Sequence, residues 1–308
     1  MRSQFERLAK SLSATYRLKS TLGSGAAAHV YVADEVGTGR RVAIKVLREE
    51  QAASISAERF LAEITIVAQL EHPNIVPLCG SGTVDGLPYY VMPFIEGQSL
   101  RTRLNCLRQL PLEEGLHICT EVSAALDYAH RSRVVHRDIK PENVLLLHSG
   151  RAMVLDFGIA LTLDAIEYPR RTVPGSWLGT PDYMSPEQAH GEPHIDGRSD
   201  VYSLACVVYE MVWGQPPFTG APSSVLLRQI SAEPMPLGCR LPSVPQGLSA
   251  AVSRALAKVP AHRFATAGAF AAAMRGACDT RDSCRAGEIG NAERAVERPA
   301  YLDTRQSA

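Results

Sequence analysis

The chain has 308 residues, of which 45% are apolar and 21% charged, an ordinary balance for a globular protein with a sizeable core. Lys plus Arg and Asp plus Glu number 32 each, which excludes a global basic surface for nucleic acid or acidic membranes. The seven cysteines, an odd number and scattered, do not form a disulfide framework and fit free thiols in a reducing compartment.

Near the N-terminus, Arg2, Glu6, Arg7 and Lys10 interrupt the apolar residues, so the core of a signal peptide is lacking. Phe5, Leu8 and Leu12, spaced three and four apart, predict a short amphipathic helix over 3–13 that packs on the domain edge. No stretch is long enough to span a bilayer, and the chain as given is expected to be soluble and cytoplasmic. From Tyr16 the period becomes that of strands, with Leu22-Gly23-Ser24-Gly25 and Val30-Tyr31-Val32 forming a hairpin around glycines that allow close backbone approach to a phosphate. Val42-Ala43-Ile44-Lys45 alternates as a further strand. Ser56 to Leu70 carries Phe60, Leu61, Ile64, Val67 and Leu70 at helical spacing, with Glu63 and Glu58 as its acidic residues.

Tyr89-Tyr90-Val91-Met92 predicts another strand, followed by Pro93-Phe94-Ile95-Glu96-Gly97. Residues 112–131 repeat at helical spacing. Val144–Leu147 and Ala152–Leu155 predict a hairpin closed around Ser149-Gly150 and ending at Asp156-Phe157-Gly158. The segment from Leu161 to Leu178 has no sustained period. The run Val201 to Trp213 predicts a buried helix, while Leu248–Leu256 and Ala267–Met274 predict two Ala-rich helices. His190 and His194 are four apart, but Gly191 and Pro193 argue against a helical metal site and for surface loop residues. From Gly276 the composition changes to that of a poorly ordered tail.

The chemistry concentrates in His136-Arg137-Asp138-Ile139-Lys140-Pro141-Glu142-Asn143, which sets a carboxylate, an ammonium and an amide at offsets of zero, two and five. Phosphoryl transfer needs those groups close together: a base for the attacking hydroxyl, a cation for the γ-phosphate and an oxygen ligand for Mg²⁺.

This loop resembles the H-R-D-x-K-x-x-N catalytic loop of protein kinases, and Lys140 is similar to the serine/threonine branch. The other landmarks follow in kinase order, and the resemblance is nearest to bacterial eukaryotic-like serine/threonine kinases. It implies an α+β bilobal fold over residues 16–275: a small antiparallel β lobe (16–93) carrying helix αC, a hinge (93–97) and a larger, mainly helical lobe (98–275). Residues 1–15 are then an N-terminal extension and 276–308 the tail. By this resemblance, Leu22, Gly23, Ser24, Gly25, Val30, Ala43, Met92, Pro93, Ile95 and Leu145 enclose ATP, with Met92 as gatekeeper. The Pro93 carbonyl and the Ile95 amide bond the adenine edge. Lys45 contacts the α- and β-phosphates and is oriented by Glu63, eighteen residues on; the offset of Glu58 fits less well. Asn143 and Asp156 hold Mg²⁺, for which Mn²⁺ is an alternative, and Asp138 acts as base with Lys140 beside it. Thr180 bonds Asp138 and Lys140. Phe157 and Gly158 complete D-F-G, Glu187 pairs with Arg263, and Asp200 starts helix αF and accepts bonds from the catalytic-loop backbone. Arg137 implies activation by autophosphorylation in trans, at Thr172 first and Ser176 second. Expected partners are protein substrates and a second copy of the chain, without nucleic acid or a membrane segment.

Three positions depart from the pattern: Ala28 stands where a third glycine is usual, Ser185 where Ala is frequent and His262 where Asp is common. Two rivals are weaker. A nucleotide-sensing scaffold without catalysis does not need Lys45, Asp138, Asn143 and Asp156 together, and small-molecule kinases lack the Lys-Pro-Glu and Gly-Thr…Ser-Pro-Glu segments.

Overall fold

The computed structural model describes residues 4–25, 27–53, 57–157 and 181–278. Gly158, Thr172, Ser176, Thr180 and the tail from 279 lie outside the described residues, as does the side chain of Glu58.

The chain opens with α1 (Gln4–Ser11) and continues into β1 (Tyr16–Ser24), β2 (Ala28–Glu35) and β3 (Arg41–Leu47). After the short α2 (Glu49–Ala52) come α3 (Ala57–Val67), β4 (Gly80–Val84) and β5 (Leu87–Pro93). The five strands form one antiparallel sheet in the order β1-β2-β3-β5-β4. Strand alternation explains its two cores. On β3, Val42, Ile44 and Val46 pack with Leu8 and Leu12 around α1, whereas Ala43 and Leu47 pack with Phe60 and Ile64 of α3. The apolar stripe at residues 5, 8 and 12 thus forms the expected helix, and it covers one face of the sheet. The register sets Ala43 opposite Met92, and Lys45 opposite both Tyr90 and Val30. Directly opposed residues share a face, so Val30, Ala43, Lys45, Tyr90 and Met92 all face the α3 side.

A second sheet joins β6 (Gly97–Ser99), β7 (Val144–Leu147) and β8 (Ala152–Val154), with α4 (Leu100–Leu107) and α5 (Leu112–Arg131) between its first two strands. The expected β7–β8 hairpin forms, with Val144 opposite Val154 and β8 ending one residue before the expected Leu155, and β6 adds a strand too short to show a period. Glycine at 97 is required, since a Cβ there would come 2.5 Å from the Leu146 carbonyl oxygen. The lobes are joined where Val154 N donates to Asn74 O (2.8 Å) and Val76 N to Val154 O (3.0 Å).

The larger lobe continues with α6 (Pro186–His190), α7 (Gly197–Trp213), α8 (Pro222–Ser231), α9 (Leu237–Arg240), α10 (Gln246–Ala255) and a final helix, α11, over 267–278. Every residue of α7 from Ser199 to Met211 is buried, which makes it the central post of the lobe. It starts before the expected Asp200, because the Asp196 side chain caps it by accepting from Arg198 N, so Asp200 falls inside the first turn. The last helix runs past residue 275 to 278. His190 and His194 are exposed, and no cluster of His, Cys, Asp or Glu able to hold a metal occurs among the described residues. The six described cysteines are free. No described helix is long and apolar enough to cross a membrane.

Candidate active site

The loop after α5 is held from beneath by one buried carboxylate. Asp200, fully buried on α7, accepts from the backbone N–H of His136 (Oδ2, 2.8 Å) and of Arg137 (Oδ1, 2.8 Å). His130 Nε2 lies 2.7 Å from Oδ2. Burial opposes the charge on Asp200, but these hydrogen bonds and the His130 charge hold its pKa below the ordinary value. Arg137 takes a left-handed backbone conformation (φ 65°), rare for a residue with a side chain, and its carbonyl accepts from Gln188 Nε2 at 2.6 Å. His136 Nδ1 accepts from Asp138 N (3.2 Å), which fixes the Nε2–H tautomer that donates to Leu155 O (2.8 Å). The His136 ring also meets Phe157 edge-on at 4.7 Å, linking the loop to the segment after β8.

On this base the three predicted groups meet. Lys140 Nζ lies 2.9 and 2.6 Å from the two oxygens of Asp138. Asn143 Nδ2 donates to Asp138 O (2.8 Å) and Oδ2 (3.0 Å). Both partners are acceptors, so the amide NH₂ must face them, and Asn143 Oδ1 is left to accept from elsewhere. Asp138 itself is exposed, whereas Asn143 is buried. Leu155 N donates to Asn143 O (2.9 Å), which brings the next residue, Asp156, alongside the loop.

Asp156 also has a left-handed backbone (φ 65°). Its Oδ2 lies 2.6 Å from Lys45 Nζ, and its Oδ1 accepts from the Tyr90 hydroxyl at 2.6 Å. Burial raises the pKa, but Lys45 and the Tyr90 hydrogen bond outweigh it and keep the group ionised, below the usual carboxylate range. The same burial, with Asp156 beside it, pushes the Tyr90 phenol well up. Lys45 forms an ion pair with Asp156, a contact that the expected orientation by Glu63 did not include. Asp156 is a mostly buried anion, and Lys45 is the cation that β3 directs towards it. Glu63 is half-buried on α3.

Each carboxylate oxygen of Asp156 has a second lone pair beyond the bond it accepts. Together with Asn143 Oδ1 this is an oxygen-only donor set, suited to a hard divalent cation such as Mg²⁺.

Towards the small lobe, Gly25 N donates to Ala28 O (2.9 Å), closing the glycine turn. A Cβ at Gly23 would touch nothing and its φ is not positive, so the protein's own packing does not require that glycine. Ala28, at the position usually held by a third glycine, is buried on β2 and pairs with Leu47. Arg48, unmarked in the sequence, ties the turn down: Nη2 donates to Ser24 Oγ and Nε to Gly25 O, each at 2.9 Å. Ala43 and Met92 are buried on the cleft face, Val30, Pro93, Ile95 and Leu145 are half-buried, and Leu22 is exposed.

Below the loop, Arg263 meets Glu187 through two bonds of 2.7 Å, and its remaining N–H groups reach the carbonyls of Ala257, Lys258 and Arg198. All five donors are used, which is what makes a buried ion pair tolerable. Burial raises the Glu187 pKa, but Arg263 reverses this and lowers it. Arg101, on α4, joins Glu142 (2.8 Å) to Glu210 (2.6 Å) and also bonds the Tyr183 hydroxyl. Tyr90, Arg48, Arg101, His130 and Gln188 were not marked by any motif, because each acts through contacts distant in sequence.

A five-stranded lobe and a helical lobe, with Asp138, Lys140, Asn143 and Asp156 brought together, define the bilobal α+β class of fold. Residues 16–269 match the protein kinase domain family, and the chain belongs to it. It is 37% identical to the serine/threonine-protein kinase PknB of Mycobacterium leprae (strain TN) over 262 residues, covering 83% of this chain and 42% of that protein. It is 36% identical to the serine/threonine-protein kinase PrkC of Bacillus subtilis (strain 168) over 274 residues, covering 88% and 42%. The chain thus spans about two-fifths of the length of the curated relatives it matches.

Proposed function

We propose that this chain transfers the γ-phosphoryl group of ATP to serine or threonine hydroxyls of protein substrates, a second copy of itself included. The observation that carries this reading is the Asp138–Lys140–Asn143 cluster. Asp138 Oδ2 accepts two hydrogen bonds and Oδ1 accepts one, from Lys140. Oδ1 therefore has the spare lone pair, and it is the oxygen that takes the substrate hydroxyl proton. The hydroxyl oxygen forms the new bond to the γ-phosphorus, the bond to the β–γ bridging oxygen breaks, and ADP leaves. Lys140 balances charge on the transferring group while restraining Asp138. Lys45 aligns the nucleotide phosphates, with Glu63 as its expected second partner. Asn143 and Asp156 are the residues that would hold Mg²⁺, or Mn²⁺ in its place, and the ion would supply electrostatic stabilisation of the phosphate oxygens. Positioning and electrostatics then account for most of the rate.

We place regulation in the segment containing Thr172 and Ser176, where phosphate would pair with Arg137, and Thr180 beside Asp138 and Lys140. The balanced charge and free thiols support a cytoplasmic location. The test is phosphosite mapping after incubation with Mg²⁺ and ATP, beside Asp138→Asn. The wild type is expected to carry phosphate on Thr172 or Ser176, and the variant to be slower by about 10²–10⁴-fold. Intact nucleotide binding without phosphate on itself or on generic acceptor proteins would favour a scaffold instead.

A further inference from the structure

We propose that Tyr90 is a positioning residue for the metal ligand Asp156, its hydroxyl fixing one carboxylate oxygen so that Lys45 is free to serve the nucleotide. The inference rests on the reading of Asp156 as a ligand. Tyr90 is fully buried, and a buried phenol must find a partner for its O–H. The partner it finds is Asp156 Oδ1, at 2.6 Å and sixty-six positions along the chain.

The two anchors on Asp156 differ in stiffness. Lys45 reaches Oδ2 on a flexible four-carbon stem, and its ammonium is also wanted by phosphates. Tyr90 stands opposite Lys45 in the β3–β5 ladder, its ring centroid 6.5 Å from that of Phe60 and packed in the cluster with Ala28, Ala43, Leu47, Ile64 and Met92. Its hydroxyl is therefore a donor with almost no freedom. Asp156 needs such a donor, because its left-handed backbone (φ 65°) is a conformation that surroundings must impose. When Lys45 turns to phosphate, Tyr90 keeps the carboxylate oriented, and the remaining lone pairs stay directed at the cation. Outer partners of this kind commonly set metal affinity.

The experiment follows Mn²⁺ uptake by electron paramagnetic resonance in the presence of a non-hydrolysable ATP analogue, for wild type, Tyr90→Phe and Tyr90→Leu. Tyr90→Phe keeps the ring and removes only the hydroxyl. It is expected to bind Mn²⁺ about tenfold more weakly. The Mg²⁺ concentration for half-maximal phosphorylation should rise by the same factor, while KM for ATP at saturating Mg²⁺ stays within about twofold. Mn²⁺ affinity for Tyr90→Phe within about twofold of wild type overturns the proposal, as does a loss confined to Tyr90→Leu, which would assign the effect to packing. A wild-type protein that takes up no Mn²⁺ with the analogue would overturn the reading of Asp156 itself.

Discussion

A carboxylate with no water around it must be neutralised by geometry, and Asp200 shows how a single residue then organises a reaction site. It accepts two backbone N–H groups from the catalytic loop and pairs with His130, so the left-handed turn at Arg137 is held by the loop's own amides. Burial would lower the His130 pKa, but Asp200, with Asp127 and Asp196 beyond it, raises it above the ordinary 6.5. The Asp200 pKa is held below 3.8. The signs fix the pH window. The stabilisation from His130 is complete below about pH 6.5 and is lost as pH rises through its folded value, while that from Asp200 is complete above about pH 4 and is lost as pH falls through its own. His130→Gln should therefore be most destabilising near pH 5.5 and much less so near pH 8, as read from urea unfolding at both values. An equal cost at both would show that the imidazole acts only as packing. Asp200 was legible in the sequence because it belongs to a recognisable run, whereas His130 was not, since the two meet across seventy positions.

Strand parity is the element-scale device. Alternate residues of β3 serve two cores, and the direct opposition of Lys45 and Tyr90 puts both on the face where Asp156 lies. The alternation of Val42-Ala43-Ile44-Lys45 was visible in the sequence. Which tyrosine of Tyr89-Tyr90 would face the cleft was not, because both parities of that strand are apolar or aromatic. The pairing of Lys45 with Asp156 was also illegible. Offsets within a motif specify which groups come near one another, and not which contacts they then form. Helices α8 and α9 lacked a sequence signal for local reasons: the first opens with Pro222-Ser223-Ser224, a composition shared with turns although Pro is preorganised for a first helical turn, and the second spans one turn. At the hinge end, β6 depends on close backbone contact with β7. Gly97→Ala should force that pair apart and cost about 1–3 kcal/mol, measurable by urea unfolding. A variant as stable as wild type would mean that the strand end yields without resistance.

At the scale of the whole molecule, the family match begins at residue 16, but the packing begins earlier. Leu8 and Leu12 of the N-terminal extension are buried against Tyr31, Val42, Ile44 and Val46, and Phe5 stacks near Tyr31 at 5.8 Å. Fully burying a leucine is worth about 1.5–3 kcal/mol, so deleting residues 1–15 should lower Tm by roughly 5–10 °C. An unchanged melting curve would show that α1 is dispensable.

The consequence reaches further than stability, because β3 is a party wall. Its outer tenants are the two leucines of α1, and its inner tenants are Ala43 and Lys45. Loosening the outer side lets the strand shift, and the Lys45 ammonium, proposed above to align the phosphates, shifts with it. The first fifteen residues are thus a handle on the nucleotide cleft from the far side of the sheet, and the truncated protein should show a raised KM for ATP even at temperatures where it remains folded.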